Sequence, residues 1–539
     1  MTRATATTLV LAAALAGCAV APTADGDDGF VVPAGKEDDF ISLSAAEFVV
    51  AGRATVTIEA DLLEADEATR MARVEELVGQ EQIAIAWFLN QYLMDKHDGD
   101  GNEAYGGFSA MARANTYDAL DIRDEGEGTY SFDFEQIVAG ERNLVQALPT
   151  ELVDGVPTFT LTIGTPTNAE LGRLETNHEW YRQSPWSEWN PDTVDASRKT
   201  DLTLTIRPET ASEDAWFDYA ALMEDGVLDI DVHFGWDYHA GYHTTHARAL
   251  FGWLQVQGFA APVESFEALD RDSGPFTRTI TAGGREVTIE VRIFYGHEDG
   301  TTDPDTDAGG RILEDDMRAS LMSRDVIMYS GHSGPFYGFA LGNWRMTDEG
   351  DFDDSEMRTA EMPAERYQLV VAEGCDTYQI GEAFRNNPAK PDGRFIDIVT
   401  TTAPSNASTP ATVEDIITHL VRTDDEGRHD PLPIRALLRE LDNNSYWFHT
   451  MYGVHGIDDD PHRHPWADAE LTCAECESDA DCGGPGNLCV GVGTSGRHCA
   501  ARCTADSGCG EGAFCRDVAH ASTNTIYDAV CVPSSLSCE

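Results

Sequence analysis

The pattern of apolar and polar positions changes character twice along the chain. Between residues 44 and 222, apolar residues mostly alternate with polar ones, the period of half-buried strands. Alternation runs over Phe48–Glu59, Thr129–Phe134, Thr158–Ile163 and Asp201–Ile206. A helical period interrupts them from Glu67 to Met94, where Met71, Val74, Leu77, Val78, Ile85, Phe88, Leu89 and Tyr92 share a broad face. These elements predict a β-rich α+β domain over 44–222, and no group in it suggests catalysis.

From 223 to 445 the rhythm becomes strand, helix, strand, helix. Strands are expected at Val227–Phe234, Glu286–Tyr295, Asp325–Tyr329, Tyr367–Ala372 and Arg394–Thr400. Helices are expected at His243–Gln257, Ile312–Met322, Tyr378–Arg385 and Val413–Val421. Short continuous apolar runs alternating with helices indicate a mainly parallel sheet covered on both faces. Functional groups of such sheets gather beyond the carboxyl ends of strands.

The ends of the chain read differently. An early arginine, Arg3, precedes an apolar stretch that closes in Leu15-Ala16-Gly17-Cys18. This is a secretion signal over 1–17, too short to span a bilayer. Leu-Ala-Gly-Cys resembles the bacterial lipobox, which implies cleavage before Cys18 and lipid on its sulfur. The chain is then exported and held at the cell envelope, at the outer membrane or cell surface, by that anchor alone. Residues 18–43 are small, acidic and polar, a flexible tether. Residues 446–472, rich in histidine and aspartate, read as an exposed linker.

Cysteine use separates the last segment. Ten of the 12 cysteines lie in 473–539, in two similar runs. Cys476, Cys482, Cys489 and Cys499 form one; Cys503, Cys509, Cys515 and Cys531 the other; Cys473 and Cys538 flank them. Large apolar residues are scarce there, so disulfides must replace a core in an exported protein. The pair Cys473-x2-Cys476 leaves a zinc reading open. The spacing resembles small Dickkopf-like cysteine-rich modules that end secreted myxobacterial proteins. Net charge is −59, from 95 acidic and 36 basic residues. Such a field repels nucleic acid and anionic membrane surfaces and favours cationic partners.

One cysteine remains in the body of the chain. Cys375 follows the apolar run from Tyr367, and His332 follows the run from Asp325 within Ser330-Gly331-His332-Ser333-Gly334. A thiol and an imidazole just past two successive strands make a candidate nucleophile and base. A helix starting soon after Cys375 is expected to lower the thiol pKa through its N-terminus.

These motifs resemble the caspase-like cysteine peptidases. Tyr329-Ser330-Gly331-His332 is similar to the metacaspase histidine motif, Glu373-Gly374-Cys375 to the legumain-type Glu-Ala-Cys, and Tyr238-His239-Ala240 to a legumain segment near the specificity pocket. The likeness covers roughly 225–425. It implies a caspase-like α/β domain and hydrolysis of peptide bonds in a protein or peptide substrate, with no required cofactor. Cys375 would attack, His332 would move the proton, and the backbone N–H groups of Cys375 and Ser333 would hold the oxyanion. Ser333 departs from the family's glycine. Glu373, Asp376, Tyr238 and His239 are pocket candidates, and the charges of Glu373, Asp376 and Asp397 suggest basic residues in the substrate.

Other chemistries compete. Gly331-His332-Ser333-Gly334 partly matches a serine-hydrolase elbow, with Pro335 in place of its last glycine. His239, His243 and His246 would share a face of an early-starting helix and hold zinc. A second histidine group, His449, His455, His462 and His464, lies beside three aspartates. Asp98 and Asp100 sit in a calcium-like but incomplete loop. A surface protein using a peptidase-like domain purely as scaffold is the non-enzymatic alternative.

Overall fold

The computed structural model describes residues 40–97, 109–110, 121–173, 186, 189–239, 241–334, 338–390, 393–406, 410–444, 450–492, 496–519 and 526–538. The expectations for Cys18, Asp98, Asp100 and His449 lie outside the described residues.

The alternating segments pair into a seven-stranded antiparallel sheet. Its order is Ser109–Ala110, Thr129–Glu141, Ala45–Thr57, Lys199–Pro208, Val156–Gly164, Glu151–Val153, with Arg123–Gly126 also on Thr129–Glu141. The helix Glu67–His97 lays Val74, Leu77, Val78, Phe88 and Leu89 against Phe132, Phe159 and Leu204. One sheet face is thus buried against the helix, while the other is polar at Arg53 and Asp133 and buried at one end through Val49, Ile137 and Ala139.

The second domain is built on an eight-stranded mixed sheet. Its order is Phe40–Ser42, Tyr452–His455, Ile396–Thr401, Gln368–Glu373, Val326–Ser330, Val227–Phe234, Arg285–Tyr295, Phe276–Ala282. The five strands from Ile396–Thr401 to Arg285–Tyr295 are parallel, and antiparallel strands close both edges. Both faces are covered. Leu228, Ile230, Val232, Met328 and Val371 point to the helices Tyr242–Val256, Ala411–Leu420 and Ile434–Asn444. Ile327, Tyr329, Val370 and Ile398 point to the helices Asp307–Ser323 and Tyr378–Arg385. Val326–Ser330 and Gln368–Glu373 are therefore buried on both sides and read as nearly unbroken runs, whereas Val227–Phe234 and Arg285–Tyr295 alternate, with Asp229, Asp231, Glu290 and Arg292 ion-paired on one side.

Two expectations for flanking segments are corrected. Residues 40–42 of the supposed tether form an edge strand, and Phe40 packs with Ala45, Val49 and Tyr378 between the two sheets. The 446–472 segment is no exposed linker. His455 is fully buried on the Tyr452–His455 strand, and His464 is buried beside Asp430. His462 bonds the Asp214 carbonyl through Nδ1. Ala215 to Leu222, expected at the end of the first domain, pack within the core of the second.

All ten tail cysteines are paired: 473–538, 476–489, 482–499, 503–515 and 509–531. Each run joins its first cysteine to its third and its second to its fourth, and the flanking pair ties the ends. With both sulfurs oxidised, Cys473 and Cys476 have no thiolate for zinc. The module docks through Arg502, which reaches Asp430 at 2.6 Å and Asp528 at 2.7 Å. Among the described residues, no helix is long and apolar enough to cross a membrane.

Candidate active site

Ser330 and Glu373 are register partners at the carboxyl ends of adjacent parallel strands. The chain continues for two residues from each to reach His332 and Cys375. The two loops are stitched together. The Gly331 N–H donates to the Glu373 carbonyl at 3.1 Å, and the Ser333 hydroxyl to the Cys375 carbonyl at 2.8 Å. Gly374 is required between them. A Cβ there would stand 2.8 Å from the Gly331 carbonyl oxygen and 2.1 Å from Ser333 Oγ. The residue after the cysteine, Asp376, is held at φ 52°, a left-handed conformation costly for a non-glycine residue and common near functional sites.

A third strand end supplies a residue that sequence reasoning missed. Val227–Phe234 lies on the other side of Val326–Ser330, and three residues beyond it stands Asp237. Its Oδ1 accepts from His332 Nε2 at 2.9 Å and lies 2.9 Å from His239 Nδ1. Its Oδ2 accepts the backbone N–H groups of His239 at 2.9 Å and Tyr242 at 3.3 Å. The turn therefore fixes the carboxylate, and the carboxylate fixes His332. Tyr238 stacks on the His332 ring at 4.6 Å. A carboxylate only accepts, so Nε2 carries the proton and Nδ1 keeps its lone pair.

The electrostatics describe a resting thiol. Burial, reinforced by Asp376 and Glu373, pushes Cys375 up to about 12. This corrects the expectation of a lowered pKa: the helix Tyr378–Arg385 does start three residues on, but desolvation and two acidic neighbours outweigh it. The sulfur's hydrogen-bond partner is the Ser405 carbonyl, 3.9 Å away, and among the described residues no hydrogen bond joins it to His332. Burial also lowers the His332 pKa, with Asp237 opposing the shift. Both groups are neutral at pH 7.

A small cleft lies beside the pair, lined by Asp237, His243, His246, Ser330, His332, Glu373 and Asn406. Glu373, buried in its lining, accepts from Ser330 Oγ at 2.9 Å. Burial raises Glu373 to about 7 and Asp376 to about 7. Asp397 does not belong to this group. It sits near the amino end of its strand, fully buried, with Tyr367 donating to its carboxylate. A larger cleft, lined by Arg271, Tyr295, His297 and Asp316, contains none of Asp237, His332 and Cys375.

Two rival sets are not assembled. Gly241 adopts a left-handed conformation and the helix begins at Tyr242, so His239 lies in the preceding turn, off the face carrying His243 and His246. His243 instead accepts the Asp237 N–H at Nδ1, 3.2 Å away. The serine-hydrolase elbow is absent because Ser333–Gly334 pairs with Gly338–Ala340 as a hairpin, where that motif needs a helix. Among the described residues outside the disulfide module, the ligand-type atoms that converge within 4.8 Å are those of Asp237, His239 and His332.

No protein-family model, no curated protein and no solved structure matches the chain.

Proposed function

We propose that the chain is an exported, lipid-anchored cysteine endopeptidase in which Cys375, His332 and Asp237 act together. The Asp237–His332 hydrogen bond at the mouth of three adjacent strands carries the reading. It leaves His332 Nδ1 as the acceptor on the loop stitched to the one bearing the thiol.

In this mechanism His332 Nδ1 takes the thiol proton as Cys375 Sγ attacks a peptide carbonyl, and the carbonyl electron pair moves to oxygen. Backbone N–H groups of Cys375 and Ser333 would receive that oxyanion. The imidazolium, steadied by Asp237, returns the proton to the departing amine. Water, with His332 as base, then releases the acyl group. Because thiol and imidazole are both neutral at rest, proton transfer is coupled to substrate binding. Glu373 and Asp376 offer little fixed charge below pH 7, so a preference for basic substrate residues would strengthen as Glu373 ionises.

The burial of Cys375 favours one rival, a surface protein with an inert peptidase-like scaffold. Peptide-based acyloxymethyl ketones distinguish the two. The peptidase reading expects irreversible adduct on Cys375, found by mass spectrometry, and none in His332→Ala. Equal adduct in His332→Ala, or none in the wild type, supports the scaffold.

A further inference from the structure

The carboxylate that holds His332 holds a second imidazole on the same oxygen. His332 Nε2 and His239 Nδ1 each lie 2.9 Å from Asp237 Oδ1. One carboxylate oxygen shared by two imidazole nitrogens is a donor set suited to a borderline divalent metal. A tetrahedral zinc with ligands about 2.0–2.2 Å away separates its donor atoms by about 3.3 Å. Each imidazole nitrogen is 2.9 Å from Oδ1, and all three ligand atoms lie within 4.8 Å of one another, a spacing that brackets this value. The Asp237 side chain is 5% exposed and its other oxygen is fixed by two backbone N–H groups. His239 is 49% exposed on the turn, so the set opens to solvent on one side. That side leaves room for a water ligand and an entry path.

We propose that Asp237, His239 and His332 form a zinc site whose occupation silences the peptidase centre. The silencing rests on the function proposed above; the site itself does not. When zinc takes the lone pair at His332 Nε2, the ring's proton must reside on Nδ1. Nδ1 then cannot accept the Cys375 proton, and the thiol stays protonated. No electron transfer is involved, and the neutral ring keeps its single proton. The ten tail cysteines are in disulfides, and His243, whose Nδ1 accepts the Asp237 N–H, does not converge with these three ligand atoms. The Arg345 guanidinium, 4.2 Å over the Tyr238 ring, opposes a cation here and sets the affinity below that of a structural zinc site.

The test is titration of the full-length chain with cobalt(II), followed by its visible d–d bands, and with zinc against a chromophoric chelator. One ion per chain is expected, with no sulfur-to-cobalt charge-transfer band and with Cys375→Ala unchanged. His239→Ala and Asp237→Asn should each weaken binding about tenfold to a hundredfold. His239 lies on an exposed turn, so the fold should survive its loss, checked by circular dichroism. Binding unaltered in His239→Ala, or no one-to-one binding at millimolar metal, overturns the site. Activity is read separately, as the zinc concentration that halves each variant's own rate, which should rise about tenfold or more in His239→Ala. A chain that binds zinc through His239 yet cleaves no peptide upholds the site and removes the peptidase reading. An active chain that binds zinc there without slowing overturns the silencing.

Discussion

Asp237 and His332 stand 95 positions apart in sequence and share a 2.9 Å hydrogen bond between loops that leave neighbouring parallel strands. The bond selects the imidazole tautomer. Asp237→Asn presents an amide whose N–H can force the opposite tautomer, with Nδ1 protonated. Peptide cleavage should fall about a hundredfold to ten-thousandfold with little change in KM, as for other carboxylates that orient a catalytic histidine. Steady-state kinetics on one peptide substrate measures it, and an unchanged kcat would remove Asp237 from the mechanism.

Gly374→Ala tests the stitching of the two loops. The added methyl meets the Gly331 carbonyl oxygen at 2.8 Å, backbone that has no rotamer to yield. The loops must part, which costs about 1–3 kcal/mol of stability and moves the His332 loop relative to the Cys375 loop. Denaturant unfolding and cleavage rate should both report it. Stability lost without loss of cleavage would show that their relative position does not matter.

Much of this architecture is legible in the amino-acid sequence. The strand Val227–Phe234 and the helix Tyr378–Arg385 fall at the residues their patterns mark; in the strand, Leu228, Ile230 and Val232 alternate with Asp229, Asp231 and His233, a clear period of two. His332 and Cys375 stand out as residues just past strand ends. Asp237 does not. It is one acidic residue among 95, placed in a loop, and only the order of strands brings it to His332. The edge strands Phe40–Ser42 and Tyr452–His455 escape detection because three or four residues are too few to show a period. The charge of Asp397 is easily misassigned because sequence does not say at which end of a sheet a carboxylate lies.

Arg502 is the ion-pairing link between the disulfide module and Asp430 of the body, beside backbone hydrogen bonds such as Thr504 N–H to the His462 carbonyl. It is 8% exposed on its side chain and bridges Asp430 and Asp528. Arg502→Ala takes the ion pair from Asp528, while Asp430 keeps Arg422, a loss of about 1–3 kcal/mol. With its five disulfides intact, the module should stay folded but become releasable. Limited proteolysis between residues 460 and 473 reads this directly: faster cutting is expected in the variant, and equal rates would show that other contacts hold the module.

Glu81, buried under the first sheet, is raised to about 8 by desolvation. Its folded value exceeds its ordinary 4.5, so the folded state binds the extra proton. The stability linked to it is full below pH 4.5 and is lost as pH rises through about 8, at up to about 1.4 kcal/mol per unit. Glu81→Gln removes the dependence. Its melting temperature relative to wild type should climb between about pH 5 and pH 9. A pH-independent difference would mean that Glu81 is solvated or paired in solution.

The most direct test of the account is cleavage of an unbiased peptide library by the full-length protein, read by mass spectrometry at neutral pH without added metal. The account predicts new peptide termini with the wild type and none with Cys375→Ala. Fragments that persist in Cys375→Ala, or a wild type that generates none, would contradict it.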